Sequence, residues 1–270
     1  MKKIVICATQ RSGSTMLCKE LEATTVLGRP KEVYINPKVQ NAAEAQNFVN
    51  RIVSQGQSEN GLFAVKIMQD QWEKVDQVHS YLSPSSPPSL MQSLLYKLSF
   101  TKLIQTDPKL KLDSFHQFYQ GATWVFLRRK EHLYQAISRD MANQTKVCHV
   151  VNTNDATKLQ GIGKRGAIAM ENAHDYNMKT QFDAKRLFNR IQSIVREEAG
   201  WERFFKKYQI SPLELYYEDI VGNKDYLKEL ARQVEVKLPD TIPAIPLVKV
   251  GNQLNEEWAE RFKQEYPQYA

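Results

Sequence analysis

One stretch near the start, Lys3-Ile-Val-Ile-Cys-Ala-Thr-Gln-Arg-Ser-Gly-Ser-Thr-Met-Leu-Cys18, constrains the fold more than any other. Ile4, Val5, Ile6 and Cys7 form a short apolar run rich in β-branched residues, as expected of a strand buried on both faces. Thr9 to Thr15 is a small polar turn with one glycine. Met16 to Thr24 has a helical pattern, with Met16, Leu17, Leu21 and Thr24 on one face and Lys19 and Glu22 on the other. Strand, small-residue turn and helix together make an anion cradle. The first N–H groups of a helix have no partner within it, and the helix dipole adds partial positive charge there. Gly13 lets the backbone approach an anion, and Ser12, Ser14 and Thr15 add hydroxyl donors.

The turn departs from the usual nucleotide loop. G-x-x-x-x-G-K-[ST] would put Gly at position 8 and Lys at position 14, where Ala8 and Ser14 stand, and the cation of the loop is Arg11. A lysine aimed at β- and γ-phosphates is absent. The loop therefore suits an anion better than Mg-ATP. An ordinary strand–turn–helix capped by Ser12 or Ser14 is the alternative.

The rest of the chain repeats the theme. Leu62 to Met68 is a second apolar run, interrupted by Lys66, which must either snorkel at a sheet edge or find an anion. Ala122 to Leu127 is a third, followed at once by Arg128, Arg129 and Lys130. A Walker-B acid would stand there in a nucleotide hydrolase; two arginines instead can neutralise phosphates without metal. Pro212 to Val221 reads as a fourth strand leading to Glu218 and Asp219.

Helical spacing falls on 41–56, Trp72–Leu82, Leu90–Leu103, Glu131–Thr145, Tyr176–Tyr208 with a break at Gly200, Tyr226–Val234 and the region after Asn255. Strands alternating with helices predict an α/β three-layer, P-loop-like fold with a mainly parallel sheet, in a single domain over 1–270. Val150 to Gly166 is polar, with Gly161, Gly163 and Gly166, the composition of a mobile lid or partner-binding segment. Glu32, in the Gly28–Pro37 loop, reads by residue type alone as a solvated carboxylate.

The net charge of +7 favours acidic partners, but there is no charge block or aromatic–basic array of the kind that binds nucleic acid. Cys7, Cys18 and Cys148 lack metal-like spacing and read as reduced core thiols. No signal-peptide pattern precedes Ile4 and no long apolar run is present, which predicts a soluble, cytoplasmic protein.

Ala8-Thr-Gln-Arg-Ser-Gly-Ser-Thr15, Gly28 to Tyr34, Val65-Lys-Ile-Met68, Arg128 to Glu131 with Gln135-Ala-Ile-Ser138, Tyr217-Glu-Asp-Ile220 and Glu256-Glu-Trp258 occur in the order found in the Stf0-type carbohydrate sulfotransferases, and the chain resembles that family. The resemblance implies a sulfuryl donor, 3′-phosphoadenosine 5′-phosphosulfate (PAPS), with 3′-phosphoadenosine 5′-phosphate (PAP) as product and no metal. It implies that Arg11, Ser12, Gly13, Ser14 and Thr15 cradle the phosphosulfate and that Arg129 and Ser138 grip the 3′-phosphate. Other sulfotransferases space that pair one residue closer, which keeps Arg128 as an alternative. Lys249 stands where relatives place a basic contact to the nucleotide. Glu32 matches the general base, Gln10 an acceptor contact, and Arg11 and Lys66 would stabilise charge on the bridging oxygen.

The acceptor is expected to be a saccharide or glycolipid hydroxyl. It would lie between the Gly28–Pro37 loop and residues 145–175, with Arg29 and Tyr34 among its contacts and Tyr34 stacked on a sugar face. A lipid-linked acceptor would add peripheral membrane contact; a homodimer and the absence of a nucleic-acid partner complete the expectations. A catalytically inactive PAP- or sugar-binding module and an atypical P-loop kinase are the competing readings.

Overall fold

The computed structural model describes residues 1–82, 112–152, 166–170, 176–248 and 251–269. The helix expected over 90–103, most of the glycine-rich part of the expected lid, and Lys249 lie outside the described residues.

In chain order the elements are β1 (Lys3–Ala8), α1 (Ser14–Ala23), α2 (Ala42–Gly56), β2 (Phe63–Met68), a 3₁₀ turn (Gln69–Gln71), α3 (Trp72–Ser80) and α4 (Asp113–Phe118). They continue with β3 (Thr123–Arg128), α5 (His132–Thr145), β4 (His149–Val151), β5 (Ala167–Ala169), α6 (Ala184–Lys207), β6 (Leu213–Tyr216) and α7 (Tyr217–Ile220). The last are α8 (Asp225–Gln233), β7 (Leu247–Val248), α9 (Gln253–Glu265) and a closing 3₁₀ turn.

The main sheet has the order β2-β1-β3-β6 with every pair parallel. β1 is central, which is why Ile4, Val5 and Ile6 are apolar on both faces and fully buried. Strand alternation then sorts the core into two layers. Val5, Cys7, Val65, Ile67, Trp124 and Phe126 face α2, α3, α4 and the aromatic end of α6. Ile4, Ile6, Ala8, Ala64, Val125 and Leu127 face α1 and α8. The expected three-layer α/β fold with a parallel sheet is present. The chain leaves β1 toward β2 on one side and β3 on the other. Such a switch in strand order opens a crevice beyond the carboxyl ends of β1 and β3, where α/β proteins bind ligands.

A small sheet, β5-β4-β7, stands beside the main one, with β4 parallel to β5 and antiparallel to β7. α5, α6 and α9 pack together through Ile137, Ile191, Trp258 and Phe262.

Some boundaries differ from the sequence reading. Glu218 and Asp219 sit on the helical turn α7 rather than at the end of a strand. α6 starts at Ala184, capped by the Asp183 side chain accepting from the Arg186 N–H, and runs through Gly200 without a break. Gly200 serves close packing: a Cβ there would come within 2.9 Å of Gln69 Nε2. Phe115 lies in α4 and is fully buried.

Tyr34 is also fully buried, with its hydroxyl 2.7 Å from His79 Nε2 and 3.0 Å from the Tyr119 hydroxyl. It cannot stack on a sugar from there, and the expected acceptor contact is corrected to a core hydrogen-bond node. Burial pushes His79 down to about 3. Below the ordinary histidine value of 6.5 the unfolded chain takes up a proton that the folded chain refuses until about pH 3. Stability should therefore fall as pH drops through that window, with a slope from this residue approaching about 1.4 kcal/mol per pH unit. Urea unfolding of the wild type and His79→Gln between about pH 7 and pH 4.5 checks this. An identical slope in both would remove His79 as the cause.

Candidate active site

A cleft of about 1400 Å³ opens at the switch point, with walls from the loop after β1, the segment 30–35, α2, the start of α5, β4, α7 and the start of α9. The loop after β1 forms its floor. Gly13 has φ 90°, a left-handed conformation that glycine adopts without strain. A Cβ at Gly13 would lie 2.2 Å from Cδ2 of Tyr217, so the ring of α7 is packed directly against the loop. The N–H groups of Gly13, Ser14 and Thr15 have no hydrogen-bond partner among the described residues. They stand at the start of α1, where partial positive charge accumulates.

Arg11 completes the loop. Its Nε donates to Ser138 Oγ at 3.1 Å and a terminal nitrogen donates to the Cys148 carbonyl at 2.5 Å. Both partners are neutral, and no carboxylate pairs with Arg11 among the described residues. Burial pulls the Arg11 guanidinium below its ordinary value, and nearby Arg129 pulls the same way, while Cys148, Tyr176 and Tyr217 oppose. A recessed cation with no anion of its own is what an anionic ligand needs. With free N–H donors and a glycine whose Cβ would clash, the loop fits a phosphate or sulfate group.

Arg129 reaches the cleft from the end of β3, held 3.3 Å from Glu218 Oε1 and with its guanidinium 4.7 Å from the Tyr217 ring centre. Burial alone would raise the Glu218 carboxyl, but the Lys130 N–H and Arg129 hydrogen-bond to it and hold it below its usual range. Ser138 lines the same wall from α5. Arg128 points elsewhere. It pairs with Glu198 at 2.8 Å and Glu202 at 3.1 Å on α6 and does not line the cleft. Of the two arginines left open by the sequence, Arg129 is the one that lines the cleft with Ser138.

Glu32 enters from the other side. The Lys66 N–H donates to the Lys31 carbonyl at 3.1 Å, and a bridge between Glu32 and Lys66 lays this segment along edge strand β2. Lys66, 6% exposed, meets Glu32 Oε2 at 3.0 Å and lies 3.5 Å from Thr15 Oγ1. Gln71 Nε2 donates to Glu32 Oε1 at 2.7 Å. Lys66 is therefore an edge-strand lysine that has found its anion. Gln10 lines the cleft, its side chain donating to Asp70 Oδ2 at 2.5 Å and its carbonyl held by Gln135 at 2.8 Å.

Two further expectations are corrected. Ser12 is fully buried, its hydroxyl has no hydrogen-bond partner among the described residues, and it does not line the cleft. Arg29 is exposed and does not line the cleft. The sequence reading missed Gln71, Tyr217 and His149. His149 lines the cleft from β4; burial, then Arg11 and Lys66, push its imidazole down to about 3, so it is neutral at ordinary pH. Tyr217 lay inside a motif already noted, but only the packing on Gly13 reveals its use.

Among the described residues no group of three or more His, Cys, Asp or Glu is arranged to hold a metal ion, and no helix is long and apolar enough to cross a membrane.

Comparison with known proteins agrees with this geometry. Trehalose 2-sulfotransferase of Mycobacterium tuberculosis (strain Erdman) is 22% identical, over 99% of this chain and 96% of its own length. Trehalose 2-sulfotransferase of Mycolicibacterium smegmatis is 20% identical, over 97% of this chain and 94% of its own. The family model described as Stf0 sulphotransferase matches residues 3–47 and 38–265, and the chain belongs to that family.

Proposed function

We propose that the protein transfers a sulfuryl group from PAPS to a hydroxyl of a saccharide, free or lipid-linked, with Glu32 as general base. The observation that carries this reading is one continuous line of contacts. Glu32 meets Lys66 at 3.0 Å, and Lys66 lies 3.5 Å from Thr15 on the anion loop. A base, a cation and an anion cradle thus stand in sequence across one cleft.

Arg11 and the N–H groups of Gly13, Ser14 and Thr15 would hold the phosphosulfate, and Arg129 with Ser138 the 3′-phosphate. Glu32 takes the proton of the acceptor hydroxyl as its oxygen bonds to sulfur. The bond from sulfur to the bridging phosphate oxygen breaks, and that oxygen keeps the electron pair and leaves with PAP. Lys66 and Arg11 stabilise the charge that gathers there. As in phosphoryl transfer, positioning and charge stabilisation supply most of the rate.

The acceptor would lie between Pro30–Ile35 and β4, near Gln10 and Glu32, which line the same cleft. Both mycobacterial relatives carry trehalose in their names, so saccharides are the class to test first. Incubation with labelled PAPS and a saccharide panel that includes trehalose, with and without a chelator, is expected to give a labelled sugar in both conditions. Preference for simple phenols, or PAP binding with no transfer to any hydroxyl, would overturn the reading.

A further inference from the structure

We propose that Gln71 is the positioning residue of the general base: its side-chain amide holds the Glu32 carboxylate in place for the acceptor proton. The proposal rests on Glu32 being that base. Gln71 ends the 3₁₀ turn that follows β2 and is 5% exposed. Its Nε2 donates to Glu32 Oε1 at 2.7 Å, and its Oε1 faces the Met68 N–H at 3.4 Å. The two contacts fix the amide orientation, because a flipped amide would set its oxygen against a carboxylate and its NH₂ against an N–H.

The second oxygen of Glu32 meets Lys66. That lysine also stands within reach of the anion loop, so an arriving sulfuryl donor competes with Glu32 for it. Gln71 faces no such competition. It is neutral, buried and anchored at its own carbonyl, so it secures the base when Lys66 turns toward the donor. Each carboxylate oxygen has two lone pairs, and one contact on each leaves a lone pair for the acceptor proton.

The same turn holds the acceptor side. Asp70, its neighbour, accepts from Gln10. Lys66 faces Glu32 from β2, Cys18 feels it from α1 and Asp70 from the turn itself, while Lys19, Lys31 and Arg51 line the same cleft. These charges are unchanged when Gln71 is replaced by an uncharged residue, so an effect of that replacement reads the amide alone.

The test is the carbon-13 NMR signal of the Glu32 carboxyl in the PAP complex, recorded at one fixed pH and assigned by its loss in Glu32→Gln. Gln71→Leu should shift that signal, because the carboxylate loses the hydrogen bond at one of its oxygens. Gln71→Glu, of equal volume, should shift it as well, because the replacement has no N–H to donate. An unmoved signal in both variants overturns the proposal. PAP affinity should stay within about twofold, since Gln71 touches Glu32 and not the loop.

Turnover of labelled PAPS with the saccharide panel gives the second readout. Gln71→Leu should lower kcat by about 10-fold in the wild-type background and have no effect on the residue left in Glu32→Gln. Equal losses in both backgrounds would overturn the positioning role. Full turnover in Glu32→Gln alone would instead overturn the base assignment, and the NMR result would stand apart from it.

Discussion

Glu32→Gln is expected to lower turnover by at least about 10²-fold while PAP affinity stays nearly constant. The amide has the shape of the carboxylate but cannot take the acceptor proton. On the proposed assignment, nucleotide binding rests on the loop after β1 and on Arg129, none of which touches Glu32. The substitution has a structural side effect that can be separated from catalysis. Lys66, whose side chain is 7% exposed, loses its anion. Because the Glu32 side chain is 26% exposed, the cost should be about 1–2 kcal/mol rather than that of a fully buried pair. With PAP affinity nearly constant, added nucleotide should raise the thermal stability of the variant and of the wild type by nearly the same amount, leaving the difference between them in place. A variant with unaltered turnover would reduce Glu32 to a structural partner of Lys66.

The second large effect separates two adjacent arginines. Arg129→Ala should weaken PAP binding by at least about 30-fold and abolish any preference for PAP over AMP, as expected when one partner of a recessed charge contact is removed. Arg128→Ala should leave both properties unchanged. It should instead lower stability by about 2–4 kcal/mol, because Glu198 is 2% exposed and, among the described residues, would keep only the His132 imidazole within hydrogen-bonding distance, at 3.2 Å. Calorimetry with the two nucleotides and urea unfolding of both variants read these outcomes. Reversal of the pattern, with Arg128 controlling the 3′-phosphate preference, would place the nucleotide on the wrong face of β3.

The reason for that division is geometric and was only half legible in the sequence. Successive strand side chains point to opposite faces. Phe126 faces α6, and Arg128, two residues on, follows it, with its guanidinium 5.1 Å from the Phe126 ring centre. Arg129 is the first residue past the strand and turns into the crevice. The sequence shows the strand and its basic end, but not which helix lies on which face.

The same limit explains Tyr34 and Ser12. Residue type made both natural ligand contacts, but burial depends on partners far along the chain. Tyr34 is held by His79 and Tyr119, and the Ser12 side chain is fully buried within the loop. Elements whose evidence is local were read well. β1, β2 and β3 announce themselves by apolar runs that a two-sided core requires, and α1 by its helical spacing. Glu32 is the opposite case. Nothing in the Gly28–Pro37 loop distinguishes it from a solvated carboxylate; Lys66 and Gln71, both beyond position 60, make it special.

The small sheet has a consequence for the order in which the site is completed during synthesis. β4 pairs with β7, joining Val151 to Leu247 across about a hundred residues of chain. Gly251, Asn252, Asn255 and Glu256, which follow β7, line the cleft opposite the anion loop. The cradle and the base can therefore emerge from the ribosome long before the wall that closes over them. A nascent chain would display Arg11 and the bare N–H groups of its first loop with nothing yet to enclose a ligand. On the proposed assignment, closure of this late seam, more than formation of the cradle, would decide when a nucleotide can be retained, and a nucleotide spanning both parts would act as a clasp on the β4–β7 join.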